Sequence, residues 1–99
     1  MRLTPEQIQA IKQTALAVLG EDARVYLFGS RVDDHRRGGD IDLLFEVARP
    51  VAHRAQTINT LYVSLIRRLG DRKLDILLKD AHTPDAAVLR VAKETGVVL

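Results

Sequence analysis

The sequence predicts an α/β (α+β) fold, a small mixed sheet backed by helices, in one domain spanning residues 1–99. Three observations predict it. Two long stretches, Pro5 to Leu19 and Ala52 to Leu69, repeat apolar residues at helical spacing and end on Gly20 and Gly70. Three short apolar runs, Arg24 to Phe28, Asp40 to Val47 and Lys73 to Lys79, have the length of strands. A chain of 99 residues with 46% hydrophobic and 28% charged residues is enough for one ordinary core and too little for two.

The first helix starts where Thr4 caps it, Pro5 takes the first helical position and Gln7 completes a capping box, with Leu3 stapled onto Ile8. Ile8, Ile11, Ala15, Leu16 and Leu19 are its expected apolar face. The strand Arg24 to Phe28 leads into Gly29-Ser30, and a polar loop, Val32 to Gly39, ends in paired glycines. In the strand Asp40 to Val47, Leu43, Leu44 and Phe45 are apolar on consecutive positions, so both faces are expected to be covered from Leu43 onward. The second helix, about Ala52 to Leu69, carries Ile58, Leu61, Tyr62, Leu65, Ile66 and Leu69 as its packing stripe. After the strand Lys73 to Lys79, Thr83-Pro84 repeats the start seen at Thr4-Pro5. It predicts a helix over Pro84 to Glu94 that packs through Ala87, Val88, Val91 and Ala92 and stops at Gly96. Val97 to Leu99 form an apolar tail, an edge strand or an oligomer contact.

Composition narrows the function. There is no apolar run of membrane-spanning length and no signal-peptide core, so a cytoplasmic location is expected. The absence of Cys excludes a disulfide framework and a thiolate zinc site. Net charge is +2, with eleven of fifteen cations Arg, and four aromatic residues build no base-stacking platform. Direct nucleic-acid binding is therefore not expected. Asp33 and Asp34 read as solvated, Glu46 as a surface residue rather than a ligand, and His35 as a surface loop histidine, since no second His lies at ligand spacing.

The chemistry concentrates between Gly29 and Val47. Alternation in a strand puts Asp40 and Asp42 on one face, roughly 7 Å apart, and Ile41, Leu43 and Phe45 on the other. Neighbouring carboxylates repel unless a cation lies between them, and an all-oxygen site suits Mg²⁺ or Mn²⁺. Asp75 is a third acid inside an apolar run. If its strand pairs beside that of Asp40 and Asp42, the three acids converge on a two-metal site. Gly29 permits a tight turn, and the backbone N–H groups that follow it, with the Ser30 hydroxyl, suit phosphate oxygens. Arg31 is the nearest guanidinium, with Arg36 and Arg37 further along the loop.

Gly29-Ser30-Arg31, the DID of Asp40 to Asp42 and the distant Leu74-Asp75-Ile76-Leu77-Leu78 together resemble the minimal nucleotidyltransferases of the DNA polymerase beta superfamily. The resemblance covers nearly the whole chain, and it departs from the common form in one respect: Arg31 to Gly39 is one residue shorter. It implies a nucleotidyltransferase fold and transfer of AMP, or another NMP, from ATP or another NTP to an acceptor hydroxyl with two Mg²⁺ ions. Asp40 and Asp42 would hold both metals, Asp75 would complete the one that activates the acceptor and serve as its base, and Gly29, Ser30 and Arg31 would bind the nucleotide. It also implies a partner. Minimal members commonly pair with a small HEPN-domain toxin, which they neutralise as antitoxins, in some cases by attaching AMP to a tyrosine. A chain this short has little material for an acceptor pocket, which favours an acceptor on another chain. The competing reading is a non-catalytic binding module that neutralises its partner by complex formation alone. Retention of three like charges argues against that reading.

Overall fold

A computed structural model describes residues 3–28, 41–84 and 86–99, with the backbone alone at Val88. The elements run α1 (Pro5–Leu19), β1 (Arg24–Phe28), β2 (Ile41–Glu46), α2 (Arg54–Leu69), β3 (Leu74–Lys79), α3 (Ala87–Thr95) and β4 (Val97–Val98). The four strands form one mixed sheet in the order β3-β2-β1-β4. β1 pairs antiparallel with β2 and with β4, whereas β2 and β3 run parallel, joined across α2. The apolar tail is thus an edge strand.

The local signals at α1 act as anticipated. The Gln7 N–H donates to Thr4 Oγ1 at 3.1 Å and the Thr4 N–H to Gln7 Oε1 at 2.9 Å, which closes the capping box. Gly20 ends the helix at φ 102°, a conformation that a side chain would strain. Arg49 donates to the Leu19 carbonyl, satisfying one of the groups that the helix end leaves over.

The two faces of the sheet are covered differently. Ile41, Leu43, Phe45, Val25 and Leu27 point to α1 and α2, where they share the main core with Ile11, Ala15, Leu19, Leu61, Leu65 and Leu69. Each fully buried aliphatic side chain in that core contributes on the order of 1.5–3 kcal/mol. On the opposite face Tyr26 and Leu44 pack under Leu89 and Ala92 of α3. Leu44 has no exposed surface, so both faces are covered there, as the consecutive apolar residues predict. Lys93 fastens α3 to the sheet through Glu46, 2.9 Å away, which raises the Lys93 pKa above its ordinary 10.5 chiefly by that hydrogen bond. Glu46 is therefore half-buried in an ion pair rather than a free surface residue.

Several expected packing residues sit elsewhere. Leu16 is 53% exposed, because it lies roughly 120° around α1 from the centre of the stripe, where Thr14 and Val18 take its place. Tyr62, at the flank of the α2 stripe, is 41% exposed rather than core. The second helix starts at Arg54, not Ala52, after an N-cap His53 that makes no side-chain cap. The third differs most. Thr83 does not cap it, since its hydroxyl bonds Asp80, and α3 begins at Ala87 behind Ala86. Leu89 and Ala92 form its buried face, while Ala87 is exposed and Val91 is 55% exposed. The side chain of Val88 lies outside the described set.

Candidate active site

β1 carries its last residue, Phe28, beside Asp42, the second residue of β2, and the Gly29-Ser30 pair follows directly in the sequence. On the other side of β2, Asp42 is the Cα partner of Asp75 in the parallel ladder. Directly paired residues share a face, so the two side chains rise side by side from adjacent strands, whose spacing is about 4.8 Å. It is the face opposite α1 and α2, the one that Tyr26 and Leu44 share with α3. Asp42 is half-buried and Asp75 is exposed. The fold thus unites two acids that lie far apart in the chain, one on a covered central strand and one on the edge.

The remaining candidates, Gly29, Ser30, Arg31 and Asp40, with the loop cations Arg36 and Arg37 and with Asp33, Asp34 and His35, lie outside the described residues. Among the described residues no group of three or more His, Cys, Asp or Glu side chains is arranged to hold a metal ion. What is described is a pair of oxygen donors. Such a donor set fits a hard divalent cation that completes its shell with substrate and water oxygens, and it does not fit a nitrogen- or sulfur-seeking metal.

Asp80 lies just beyond the end of β3 and was not anticipated as a structural acid. It is 3% exposed. Its carboxylate accepts the Val51 N–H at 2.8 Å, the His82 N–H at 3.0 Å and the Thr83 hydroxyl at 2.9 Å, and Arg54 lies 3.3 Å away. The Val51 N–H chiefly, with Thr83, His82 and the Arg54 charge, outweighs burial and lowers the carboxyl from 3.8 to about 2. This cluster joins the start of α2 to the exit of β3 and so fixes the strand that carries Asp75. Asp followed by Thr three residues on, at a strand end, is the local signal of such a turn.

A hollow of about 720 Å³ lies at the opposite end of the sheet, lined by Arg24, Glu46, Lys79 and Asp80 among others. It is separated from the acids by the length of β2, roughly 13 Å. Of the four acids that line it, Glu21, Asp22, Glu46 and Asp80, three are paired with cations, Asp22 with Arg49, Glu46 with Lys93 and Asp80 with Arg54, and among the described residues no group of three acids there is arranged to hold a metal ion.

No helix among the described residues is long and apolar enough to cross a membrane. No curated protein matches the chain. A family model described as "nucleotidyltransferase domain" matches residues 7–94, a span that holds β1, β2, α2 and β3 entire and most of α1 and α3. The match includes Gly29 to Asp42 and Asp75, in keeping with the resemblance to the polymerase beta superfamily. An NTP substrate and a transferase reaction follow from it. The chain belongs to the nucleotidyltransferase domain family, whose reaction moves a nucleoside monophosphate from a nucleoside triphosphate to an acceptor.

Proposed function

We propose that this nucleotidyltransferase transfers AMP from ATP to a hydroxyl on a partner protein, a tyrosine of a HEPN-type toxin, and acts in the cytoplasm as that toxin's antitoxin. The observation that carries the reading is the side-by-side placement of Asp42 and Asp75 at the end of the sheet where β1 gives way to Gly29-Ser30. Asp40, Asp42 and Asp75 would hold Mg²⁺, with Mn²⁺ as a substitute; when bound, the cations neutralise the triphosphate and lower the pKa of the acceptor hydroxyl. Gly29 and Ser30 would orient the β and γ phosphates, with Arg31 beside them.

The reaction is then mainly positioning. The acceptor oxygen attacks the α-phosphorus, a new P–O bond forms, the bond to the bridging oxygen of the β-phosphate breaks, and pyrophosphate leaves. The acceptor proton passes to the Asp75 carboxylate. Asp75 suits that task because it is exposed on an edge strand, open to an acceptor arriving from outside.

Incubating the chain and its partner with ATP and Mg²⁺ tests this reading by mass spectrometry. The partner is expected to gain one or more AMP units, and Asp42→Asn is expected to abolish the gain while still binding the partner. An unchanged partner mass with every NTP, together with full protection of cells by Asp42→Asn, replaces the catalytic reading with a binding module.

A further inference from the structure

β3 is an edge strand, and the ladder shows which of its backbone groups face outward. The Ile41 N–H donates to the Lys73 carbonyl at 3.0 Å and the Val47 N–H to the Lys79 carbonyl at 2.9 Å. With Leu74 to Lys79 in register with Ile41 to Glu46, the odd-numbered residues of β3 turn their backbone groups toward β2. Leu74, Ile76 and Leu78 turn theirs away from the sheet.

Among the described residues that outer edge is closed at one end and open at the other. The Leu78 carbonyl accepts from Arg54 Nη2 at 2.7 Å, and Arg54 is itself held by Thr83 at 2.9 Å and Asp80 at 3.3 Å. Leu74 and Ile76, the two residues that flank Asp75, have no described residue bonded to their outward N–H and C=O groups. Proteins ordinarily blunt open strand edges. Here the blunted half is the one remote from the acids. Arg72 and exposed Lys73 stand at the entrance to the open half, beside Asp71, and alternation puts Lys73 on the face of Asp75.

The geometry points to β3 as the docking edge for the protein acceptor: an extended, acidic segment of the partner adds as an antiparallel strand through Leu74 and Ile76, with its hydroxyl-bearing residue opposite Asp75. This rests on the proposed transfer to a protein hydroxyl and deepens it. Because the backbone groups of Asp75 point to β2, the position opposite it is a non-hydrogen-bonded pair, with Cα atoms about 4.5 Å apart and side chains on one face. The hydroxyl side chain therefore rises on the face of Asp42 and Asp75. In an antiparallel addition the residue two positions after it lies opposite Lys73, on that same face. The segment recognised is hydroxyl-any-acid, its backbone read by Leu74 and Ile76 and its acid by Lys73.

The probes are synthetic nine-residue peptides with a central Tyr and either Glu or Lys two positions later, added to the full chain with Mg²⁺ and a non-hydrolysable ATP analogue. The Glu peptide is expected to slow amide hydrogen exchange at Leu74 and Ile76 at least tenfold while leaving Val97 and Val98 unchanged. The Lys peptide is expected to bind about fivefold more weakly, and Lys73→Glu to reverse that preference. Ile76→Pro removes one outward N–H at an edge position where proline is tolerated, and is expected to weaken the Glu peptide with circular dichroism unchanged. The proposal is overturned if a peptide binds without protecting Leu74 and Ile76, if Lys73→Glu keeps the wild-type preference, or if no peptide binds a chain that does bind the magnesium nucleotide. Failure of the nucleotide itself to bind would instead remove the transferase site, and this docking edge with it.

Discussion

Asp42 and Asp75 are direct Cα partners across the parallel β2–β3 ladder, one half-buried and one exposed. Two carboxylates so placed repel each other, and a cation held between them would relieve that repulsion. Asp75→Asn, at the exposed edge, is therefore expected to leave the metal-free thermal midpoint unchanged or slightly raised. Nucleotidyl transfer should fall on the order of 10³-fold in Asp75→Asn and in Asp42→Asn. Calorimetry in EDTA and a labelled-ATP assay read the two effects separately, and a variant that loses stability and activity together would mark a structural acid.

Asp80 sets the acid limit of the fold. Its folded pKa of about 2 lies below the ordinary 3.8, so the unfolded chain takes up this proton first as pH falls. The stability that Asp80 contributes is fully present above about pH 4 and is lost between about pH 4 and pH 2. Urea midpoints measured across that interval should fall more steeply for wild type than for Asp80→Asn. The variant should already be weaker at pH 7, because Arg54 and the Val51 N–H lose their anionic partner.

The doubly covered centre of the sheet should be the least forgiving position in the core. Leu44 is fully buried between the β2 backbone and α3, so Leu44→Ala leaves a cavity that a short helix cannot fill without moving. A loss of about 2–5 kcal/mol is expected in chemical denaturation.

Gly96 is required for space, not for an unusual φ. A Cβ there would overlap the Ala92 carbonyl and stand 3.0 Å from the Leu27 carbonyl, both backbone atoms. Gly96→Ala is expected to cost about 1–3 kcal/mol and to detach β4 from β1. Faster amide exchange in the Leu27–Val97 pairing would show the detachment, and unchanged exchange there would argue against it.

Much of the architecture was legible because it is locally encoded. Thr4, Pro5 and Gln7 state a helix start in four residues, Gly20 and Gly70 state two stops, and the apolar run at Leu43 to Phe45 states a strand with two covered faces. Thr83-Pro84 carries the same start signal and fails because Asp80 takes the Thr83 hydroxyl first. Position on a stripe was legible at its centre and not at its flank, so Leu61 and Leu65 are buried while Leu16, Tyr62 and Val91 are exposed. The union of Asp42 with Asp75 was conditional on strand order, which no local pattern contains. Asp80 was missed because the partner that most lowers its pKa, the Val51 N–H, comes from across the fold.

The parallel pairing of β2 with β3 also determines when the acids can meet. Parallel neighbours cannot be joined by a tight turn, so the chain must traverse α2 and close that large loop before Asp42 faces Asp75. The pair does not exist in a partly folded chain. If the nucleotide is held by both strands, as proposed, it would act as a clasp on that loop, and its binding free energy would add to that of folding. The protein should accordingly resist heat and proteolysis best when it is loaded to react.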